Sequence, residues 1–332
     1  ECADFEWERI IDLQRVAVTQ PLFTEEEFIG ERGNVKSELT GYLNVPNRVL
    51  WPRVSQELGE DVLTYSERLA QLNDIKLSDI REHYKRTHTS KNMRFVVAGG
   101  FDDGIEKVVE MLEGWELPSG ERLPIPVDEL HSAEPFLIRR KDAPNMTFGW
   151  TMSVPRRLAD NETDAMDCLN HILTGTLHSK ILGELRKKGL VYSMFSDTSA
   201  YEHNSSWDFG AQANIECVDE VFDIIVSEVQ KVLDGKVDDE DIVASKSYAL
   251  GRHQMGAQTV GQINNWYANR YFFDGQIEDF ERQPELINAV TREQIVTTAR
   301  EFFSTNLWTL GGYGSTEIAL VRDLAAKLEK LF

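Results

Sequence analysis

The feature that most constrains the fold of this chain is an internal repeat. The segment FTEEEFIGERGNVKSEL, from residue 23, aligns with VDDEDIVASKSYALGRH, from residue 237, and SKNMRFVVAGGF, from residue 90, aligns with STNLWTLGGYG, from residue 304. Both alignments have the same offset of 214 residues. A fixed separation of this kind indicates a duplicated structure. The alternative is a chance match between two stretches of similar composition, because short helical patterns often resemble one another.

The order of elements is the same in both copies: a helix, an acid-capped helix, further helices and a buried strand. In the first copy Thr24 is the predicted N-cap of the acidic helix and Ser78 that of a later helix. RFVVAGGF is the predicted buried strand, and a helix is expected over DDGIEKVVEMLEGW.

The second copy has additional predicted elements ahead of it. Met146, Phe148, Trp150 and Met152 alternate with small or polar residues, which predicts a half-buried strand. VYSMFSDTSA and SSWDFGAQAN predict two more strands, and helical segments lie between them and the first strand. The first copy has almost nothing ahead of it, so we expect the chain to begin in the middle of its first repeat.

A proline-rich stretch separates the two copies. Residues 115–135 contain four prolines and little periodicity, which is typical of a linker. We therefore predict that residues 1–114 form the C-terminal part of a first domain and that residues 136–332 form a second domain.

Composition excludes several classes of protein. The formal net charge is −21, and an acidic surface repels phosphate, so neither nucleic acid nor an anionic membrane is an expected partner. No apolar run is long enough to span a membrane.

The cysteines are few and far apart. Cys2, Cys168 and Cys217 form no CxxC pair, which argues against a disulfide scaffold or a thiolate zinc site. The first residues do not form a signal peptide, which favours a cytoplasmic location.

Two glutamates of the first copy are candidate functional residues. Glu31 and Glu38 are seven apart, so they lie on one helix face together with Phe28, Val35 and Tyr42. Carboxylates on an otherwise apolar face need a cation or a metal nearby. The matching residues of the second copy are Ser245 and Arg252, so the fold does not need the pair. The alternative is that this face is simply solvated in an acidic helix.

Three segments together resemble a known family. EEEFIGERGNVKSEL, LNDIKLSDIREHYKRTHTSKNMRFVVAGGFD and SKILGELRKKGLVYSMFSD are similar to the pitrilysin/insulinase zinc peptidases, the inverzincins, which include the mitochondrial processing peptidase. The resemblance covers nearly the whole chain. It implies an α+β fold of two related domains, each with helices packed on a mainly antiparallel sheet, with the first domain truncated here.

The resemblance also implies roles for the two glutamates. Members of the family hold zinc with the two histidines of an H-x-x-E-H motif and a downstream glutamate. Glu38 matches that glutamate ligand, and Glu31 matches a supporting carboxylate. H-x-x-E-H is absent from the chain, and the family pattern would place it ahead of Glu1. The seven histidines form no substitute, so we expect zinc in a complete protein and no zinc bound to this chain.

A second group of candidate residues lies in LRKKGLVYS. In the family, an arginine and a tyrosine around such a turn bind the substrate backbone and the developing oxyanion, and Arg186 and Tyr192 match them. The choice of Arg186 over Lys187 is left open by the spacing in relatives. A helix C-terminus with basic residues and Gly189 as its cap explains the run equally well. That explanation does not account for Tyr192.

Two functions follow from the resemblance. The first is a zinc-dependent metalloendopeptidase acting on short or unfolded peptides, of which this chain lacks both histidine ligands and the glutamate base. The second is a non-catalytic partner or structural subunit with the same fold. A homodimer, or a heterodimer with a related subunit, is consistent with either function.

Overall fold

Helices form most of the chain in the computed structural model, which describes residues 1–101, 104–305 and 307–332. The helices in the first part of the chain are α1 (Trp7–Thr19), α2 (Glu25–Tyr42), α3 (Pro46–Glu57), α4 (Tyr65–Gln71), α5 (Leu77–Thr87) and α6 (Ile105–Glu113). Those in the second part are α7 (Asp160–Asn170), α8 (Lys180–Lys187), α9 (Val218–Leu233), α10 (Asp239–Met255), α11 (Val260–Asp274), α12 (Gln283–Ala289), α13 (Arg292–Ser304) and α14 (Ile318–Leu328). The strands are β1 (Phe136–Arg139), β2 (Asn145–Val154), β3 (Val191–Ala200), β4 (Ser205–Asn214) and β5 (Trp308–Gly314).

The chain divides into two compact units. Unit 1 consists of Glu1–Glu38, Leu69–Ile125 and Arg252–Gln283. Unit 2 consists of Leu39–Arg68, Pro126–Gly251 and Pro284–Phe332. The two units are groups of residues that pack compactly together. The limits of the two related domains, residues 1–114 and 136–332, remain a prediction.

Unit 2 is built on one five-stranded sheet with the order β1-β5-β2-β4-β3. β1 pairs with β5 in parallel, and every other neighbouring pair of this sheet is antiparallel. The mainly antiparallel sheet predicted from the resemblance is therefore confirmed. The four strands β2 to β5 were predicted from the sequence, whereas the short strand β1 was not.

One face of the sheet carries the main hydrophobic core. The alternating residues of β2 pack there with the aromatic residues of β4 and with helices α7, α9 and α13. Trp150 stacks on Phe209 at a ring separation of 4.9 Å, and Trp207 contacts Phe302 and Phe303 edge-on. These aromatic side chains are almost fully buried, so they make the largest hydrophobic contribution to the stability of unit 2.

The opposite face of the sheet is covered by α3. Three glycines lie side by side in register across the sheet, Gly311 on β5, Gly149 on β2 and Gly210 on β4. A methyl group on Gly210 would lie 2.9 Å from the Trp51 ring of α3, and one on Gly149 would lie 3.3 Å from it. The glycines therefore let the helix approach the strands closely.

This covering helix corrects one prediction. The alternation of β2 was expected to make it a half-buried strand, yet every residue from Met146 to Val154 is buried. The small residues that alternate with its apolar ones face α3 instead of solvent.

Unit 1 has a much smaller core. Ile11 of α1, Val108 of α6 and Trp115 are its buried cluster, with partly buried neighbours that include Trp7 and Phe95. Several apolar residues of the same helices stay exposed, among them Leu13 and Ile105. Much of the apolar surface of α1 and α6 is therefore not used within unit 1.

The strand predicted at RFVVAGGF is wrong for this structure. Residues 94–101 lie outside the sheet, and none of them is fully buried. Among the described residues, no backbone N–H of residues 94–100 donates to another backbone carbonyl, and the Val96 carbonyl accepts from Asn264 Nδ2 of α11 at 2.8 Å. The segment has β-forming residues, but a strand is defined by pairing, and the described part of unit 1 supplies no neighbouring strand.

The structure confirms the internal repeat. At an offset of 214 residues, α1, α2, α3, α4, α5 and α6 correspond in order to α9, α10, α11, α12, α13 and α14, and residues 94–100 correspond to β5. Each repeat contributes one helix to the other unit, because α3 belongs to unit 2 whereas α11 belongs to unit 1. Seven elements in one order exclude a chance match.

The predicted helix starts have three outcomes. Thr24 is confirmed as an N-cap, since its hydroxyl accepts from the Glu27 N–H at 3.3 Å. Ser78 is wrong as a cap, because α5 begins at Leu77 and the Asp79 carboxylate accepts from the N–H of Lys76, the N-cap residue, at 2.8 Å. The helix expected from residue 102 is observed from Ile105, and the first two residues of that prediction lie outside the described residues.

Within the described ranges, none of the helices combines the length and the apolar character that crossing a bilayer requires.

Candidate functional site

The LRKKGLVYS segment joins α8 to β3 through a defined helix end. Gly189 has φ +71°, and its N–H donates to the Arg186 carbonyl at 3.0 Å, while the Leu190 N–H donates to the Leu185 carbonyl at 2.9 Å. These two hydrogen bonds form a Schellman motif, which ends the helix at a glycine in the left-handed region. Arg186 is therefore fixed in the last turn of α8.

A β-bulge at the start of β3 determines where Tyr192 points. Val191 and Met194 pair with Ala213 and Ala211 of β4, so β3 has one more residue than its partner strand in this interval. Val191 and Met194 are both buried, and Tyr192 and the residue after it are both exposed. The bulge thus places the Tyr192 side chain on the surface, where it is 85% exposed.

Arg186 and Tyr192 contact each other. The Arg186 guanidinium carbon lies 4.9 Å from the centroid of the Tyr192 ring, within the range of a cation–π interaction. Lys188 is engaged elsewhere, since its ammonium lies 2.8 Å from the Glu220 carboxylate. Arg186 is thus the basic residue of this segment that the structure places against Tyr192. Both residues are exposed, and each side chain carries hydrogen-bond donors.

The two candidate glutamates lie on α2 in unit 1. Glu31 and Glu38 are both exposed, whereas Phe28 and Val35 on the same helix are half-buried. The Glu31 carboxylate accepts from Asn34 Nδ2 at 3.2 Å. The carboxylates are therefore accessible to solvent. The prediction that they face Tyr192 across a space between two domains stays a prediction.

The residues that the structure describes do not make a zinc site. A catalytic zinc centre needs three protein ligands in one place. Within residues 1–101, 104–305 and 307–332, no group of three histidine, cysteine or carboxylate side chains is arranged to hold a metal ion. The assignment of Glu38 as one ligand of such a centre stays a prediction.

Sequence reasoning missed a group of acidic residues on the α3 face of the sheet. Asp197 of β3 lies directly opposite Asp208 of β4, and Asp208 is also beside Thr151 of β2. Burial, together with the charges of Glu60 and Asp197, raises the pKa of Asp208 to about 7, although hydrogen bonds from Thr151 and Ser206 act to lower it. The sequence contains no signal for this group, because its members come together only through strand register and a distant loop.

A second carboxyl with a raised pKa lies on the other face of the sheet. The Thr198 hydroxyl donates to the Asp167 carboxylate of α7 at 2.9 Å. Burial of this carboxyl group, with the charges of Asp164 and Asp197, raises the pKa of Asp167 to about 6, although the hydrogen bond from Thr198 acts to lower it.

Several known proteins are similar to this chain. A family model described as "Peptidase M16 inactive domain" matches residues 74–248. An uncharacterized zinc protease of Rickettsia felis is 21% identical over 298 residues, which are 87% of this chain and 70% of that protein.

Solved structures share the fold at low sequence identity. A protease from Helicobacter pylori has a TM-score of 0.81 at 17% identity and covers 94% of this chain and 78% of its own. The peptidase M16 inactive domain from Pseudomonas fluorescens has a TM-score of 0.79 at 14% identity, covering 95% of this chain and 77% of its own. A chain of complex III2 from Candida albicans, with Inz-5 bound, has a TM-score of 0.75 at 11% identity, covering 95% and 78%. The predicted fold class is confirmed by these likenesses.

The family match covers more than half of the 332 residues, and it includes both Arg186 and Tyr192. The resemblance to the inverzincin peptidases, stated above from three sequence segments, is confirmed by this match and by the likeness to a zinc protease. The chain therefore belongs to the peptidase M16 inactive-domain family.

Proposed function

We propose that this chain is the peptide-binding part of a zinc-dependent metalloendopeptidase that acts on short or unfolded peptides. The observation that carries the proposal is the contact between Arg186 and Tyr192, two exposed hydrogen-bond donors held together at the end of α8 within the family-matched segment. The chain itself contributes binding groups and not the catalytic base, because H-x-x-E-H does not occur in its sequence.

The chemistry of the pair suits a peptide backbone. A guanidinium donates two parallel hydrogen bonds to a carbonyl or carboxylate, and a phenol donates one to an oxygen that gains negative charge. The Schellman motif fixes the Arg186 backbone, and the cation–π contact holds the two side chains at a short separation. A ligand therefore meets donors that are already oriented, which lowers the entropic cost of binding.

The first test concerns the chain alone. We expect residues 1–332 to show no cleavage of a fluorogenic unstructured peptide, because two zinc ligands and the general base are absent from the sequence. Steady cleavage that a chelator abolishes would show that this reading of the chain is wrong.

The second test concerns Tyr192 in a peptidase completed by polypeptide that carries H-x-x-E-H. Tyr192→Phe should lower kcat by at least tenfold and change KM by less than about threefold, since a donor to a developing oxyanion acts mainly in the transition state. Tyr201→Phe is the matched control, because Tyr201 is another exposed tyrosine, just beyond the end of β3. Equal kcat values for wild type and Tyr192→Phe would assign Tyr192 to structure.

A third test concerns Glu38 and zinc. In the completed peptidase we propose that Glu38 is one zinc ligand and Glu31 its supporting carboxylate, by their match to the family pattern. Glu38→Gln should then abolish stoichiometric zinc, measured by elemental analysis, with an unchanged circular dichroism spectrum. In residues 1–332 the same change should leave the unfolding midpoint unchanged or slightly raised. Retention of zinc by the completed Glu38→Gln protein would remove Glu38 from the ligand set.

A second candidate function is a non-catalytic subunit of a larger assembly. Its support is the likeness of fold to a chain of complex III2, which is a multi-chain complex. A size-exclusion and cross-linking experiment with a related H-x-x-E-H subunit separates the two proposals. A stable heterodimer that cleaves peptides favours the first function, and a stable heterodimer without activity favours the second.

A further inference from the structure

We propose that the outer edge of β3 is a docking site for a peptide, which adds to the sheet as a further strand with an apolar side chain beside Phe195 and a basic side chain beside Asp197. This docking mode rests on the proposed function, because it specifies how a peptide that meets Tyr192 continues along the sheet.

β3 is one of the two edge strands of the sheet. The strand order β1-β5-β2-β4-β3 gives it β4 as a neighbour on one side, and the pairing with β4 is regular from Met194 to Ala200. In an antiparallel pair, the N–H and C=O groups of alternate residues point away from the partner strand. Among the described residues, the backbone of 194–200 forms no further backbone hydrogen bond outside this pairing. The outer side of the segment can therefore accept another strand.

The opposite edge of the sheet is protected in ways that β3 is not. β1 has four residues, and it ends at Arg139, whose guanidinium forms an ion pair with Glu317. Short length and charged residues are two means by which proteins keep an edge strand from pairing with other chains. β3 has ten residues without lysine, arginine or proline, and its bulge lies at one end, between Val191 and Met194. The rest of β3 is thus open to a partner.

One face of β3 presents two exposed side chains to an added strand. A methyl group on Gly210 would lie 2.5 Å from the Phe195 ring, so Phe195 is on the face that α3 covers. Its ring is 5.2 Å from the Trp51 ring of α3, and the residue is 40% exposed. Asp197 is on the same face, two residues further along, and it is exposed as well. A strand added to β3 therefore places its side chains next to both residues.

The surroundings of Asp197 favour a basic side chain. On its inner side Asp197 lies opposite another acid, Asp208 of β4. Within the described residues no ion pair involves Asp197, and its carboxylate accepts a hydrogen bond from the adjacent Thr198 N–H. Directly opposite residues of neighbouring strands have Cβ atoms about 5 Å apart, and opposite charges at such positions attract. A lysine or arginine of the ligand on the outer side of Asp197 therefore stabilises the complex.

The surroundings of Phe195 favour an apolar side chain. Its ring already packs on Trp51, and its exposed part lies at the open edge. An aromatic or aliphatic residue of the ligand opposite Phe195 buries that part. Because Phe195 and Asp197 are two residues apart, the apolar and the basic residue of the ligand are also two apart, whichever direction the added strand takes.

The same edge leads to the contact between Arg186 and Tyr192. Tyr192 precedes Met194 by two residues, so a ligand strand that pairs with residues 194–200 and continues reaches the exposed phenol and the guanidinium beside it. The edge supplies backbone hydrogen bonds, and the side chains supply selectivity. The preferred ligand is therefore an extended peptide with a basic residue two positions from an apolar one.

Hydrogen exchange of residues 1–332 with a synthetic peptide tests strand addition. The probe is a short threonine-rich peptide with a central phenylalanine and a lysine two positions to either side, so it fits in both directions. At saturation we expect exchange of the amides in Met194–Ala200 to slow at least tenfold, while β1 amides change less than twofold. N-methylation of alternate peptide residues should abolish binding in one register and preserve it in the other, because one set of peptide N–H groups faces β3.

A charge change at Asp197 tests the selectivity. Asp197→Asn should weaken binding of the lysine peptide about threefold, and it should not change binding of a peptide with glutamine in place of lysine. Asp142→Asn removes an exposed aspartate from a turn of unit 2 and is the matched control. It should bind both peptides as the wild type does, measured by isothermal titration calorimetry.

Several results would overturn strand addition. They are no binding of the probe, unchanged exchange of residues 194–200 at saturation, and equal effects of N-methylation in both registers. Protection of these residues that rises with protein concentration in the absence of peptide would show that a second copy of the chain occupies the edge instead. The proposed function is judged separately by kcat of Tyr192→Phe in the completed peptidase. A peptide bound through Arg186 and Tyr192 without protection of residues 194–200 would thus reject strand addition and leave the proposed function standing.

Discussion

The two copies of the repeat contain the same β-forming segment in two different states. In the second copy, residues 308–314 form β5, which pairs with β1 on one side and β2 on the other. In the first copy, residues 94–100 form neither a helix nor a strand, and they pair with no strand of the described residues. Both segments follow a helix that ends shortly before them and precede another helix. The difference shows that the local sequence gives a segment its strand propensity, whereas pairing with neighbouring strands determines whether the strand forms.

The helices that cover the two segments show the same contrast. α3 packs on β5 and β2 through the glycine row, and it buries Leu50 and Val54 completely. Its counterpart α11 contacts the first segment by a hydrogen bond from Asn264 to Val96, and α11 has no fully buried residue. A sheet provides a broad face for a helix to pack on, and a single unpaired segment does not.

The largest expected difference between the copies is in hydrogen exchange. In residues 1–332 the amides of β5 should open only with global unfolding, whereas those of residues 94–100 should exchange near the rate of unstructured peptide. The opening free energies should differ by about 5 kcal/mol or more, which is roughly four powers of ten in rate. Mass spectrometry of peptic fragments measures both segments in one sample. Equal protection would show that residues 94–100 are paired in solution.

Much of the fold could be predicted because its signals are local. The alternation from Met146 to Val154 gave β2, and the repeat gave the order of the helices. The state of residues 94–101 could not be predicted, because their propensity is that of a strand and their partners are a property of the whole fold. The burial of β2 on both faces was missed for a similar reason: α3, which covers the small residues, comes from a distant part of the sequence.

The candidate site was predictable to a smaller extent. The contact between Arg186 and Tyr192 follows from a helix end and a glycine, which the LRKKGLVYS run contains. The bulge that exposes Tyr192 depends on the register between β3 and β4, which no local pattern reports. The acidic group around Asp208 depends on that register and also on Glu60, which is far away in the sequence.

An exchange of residues between the copies sharpens the comparison at one position. Gly311 of β5 corresponds to Val97, which is 39% exposed. A methyl group on Gly311 would lie 2.6 Å from Phe136 and 2.9 Å from both Leu50 and Val54. Gly311→Val should therefore destabilise unit 2 by about 1–3 kcal/mol through overpacking. Val97→Gly should change stability by about 1 kcal/mol or less, because the lost side chain is partly exposed and the main cost is backbone entropy.

Urea unfolding, followed by tryptophan fluorescence, measures both variants of this exchange. Gly311→Ala is the intermediate variant and should fall between wild type and Gly311→Val. A Val97→Gly protein that loses as much stability as Gly311→Val would show that residues 94–100 are packed as closely as β5, and the contrast between the copies would then be wrong.

The smallest expected effect concerns pH, and it too separates the units. Burial raises the pKa of four carboxyls within the described residues, Glu60, Asp167, Asp197 and Asp208, and all four lie in unit 2. Asp167 is the clearest case outside the Asp208 group, because its pKa is raised from 3.8 to about 6. The folded state thus holds a proton that the unfolded state has released. Stability from this group is complete below pH 4 and is lost as the pH rises through 6.

Asp167→Asn removes that loss while keeping an acceptor for the Thr198 hydroxyl, which donates at 2.9 Å in the wild type. A shift of one pKa unit corresponds to about 1.4 kcal/mol of stability. Asp167 is exposed overall, so solvent screening reduces the contribution of its raised pKa to about 1 kcal/mol. Between pH 4 and pH 7, urea unfolding should therefore show wild type losing about 1 kcal/mol more than Asp167→Asn. Asp74→Asn, at an exposed position of unit 1, should follow the wild type. If the free energy of unfolding of Asp167→Asn changes with pH as that of the wild type does, the prediction is wrong. The Asp167 carboxyl is then already ionised at pH 4 and is as accessible to solvent as the surface of unit 1.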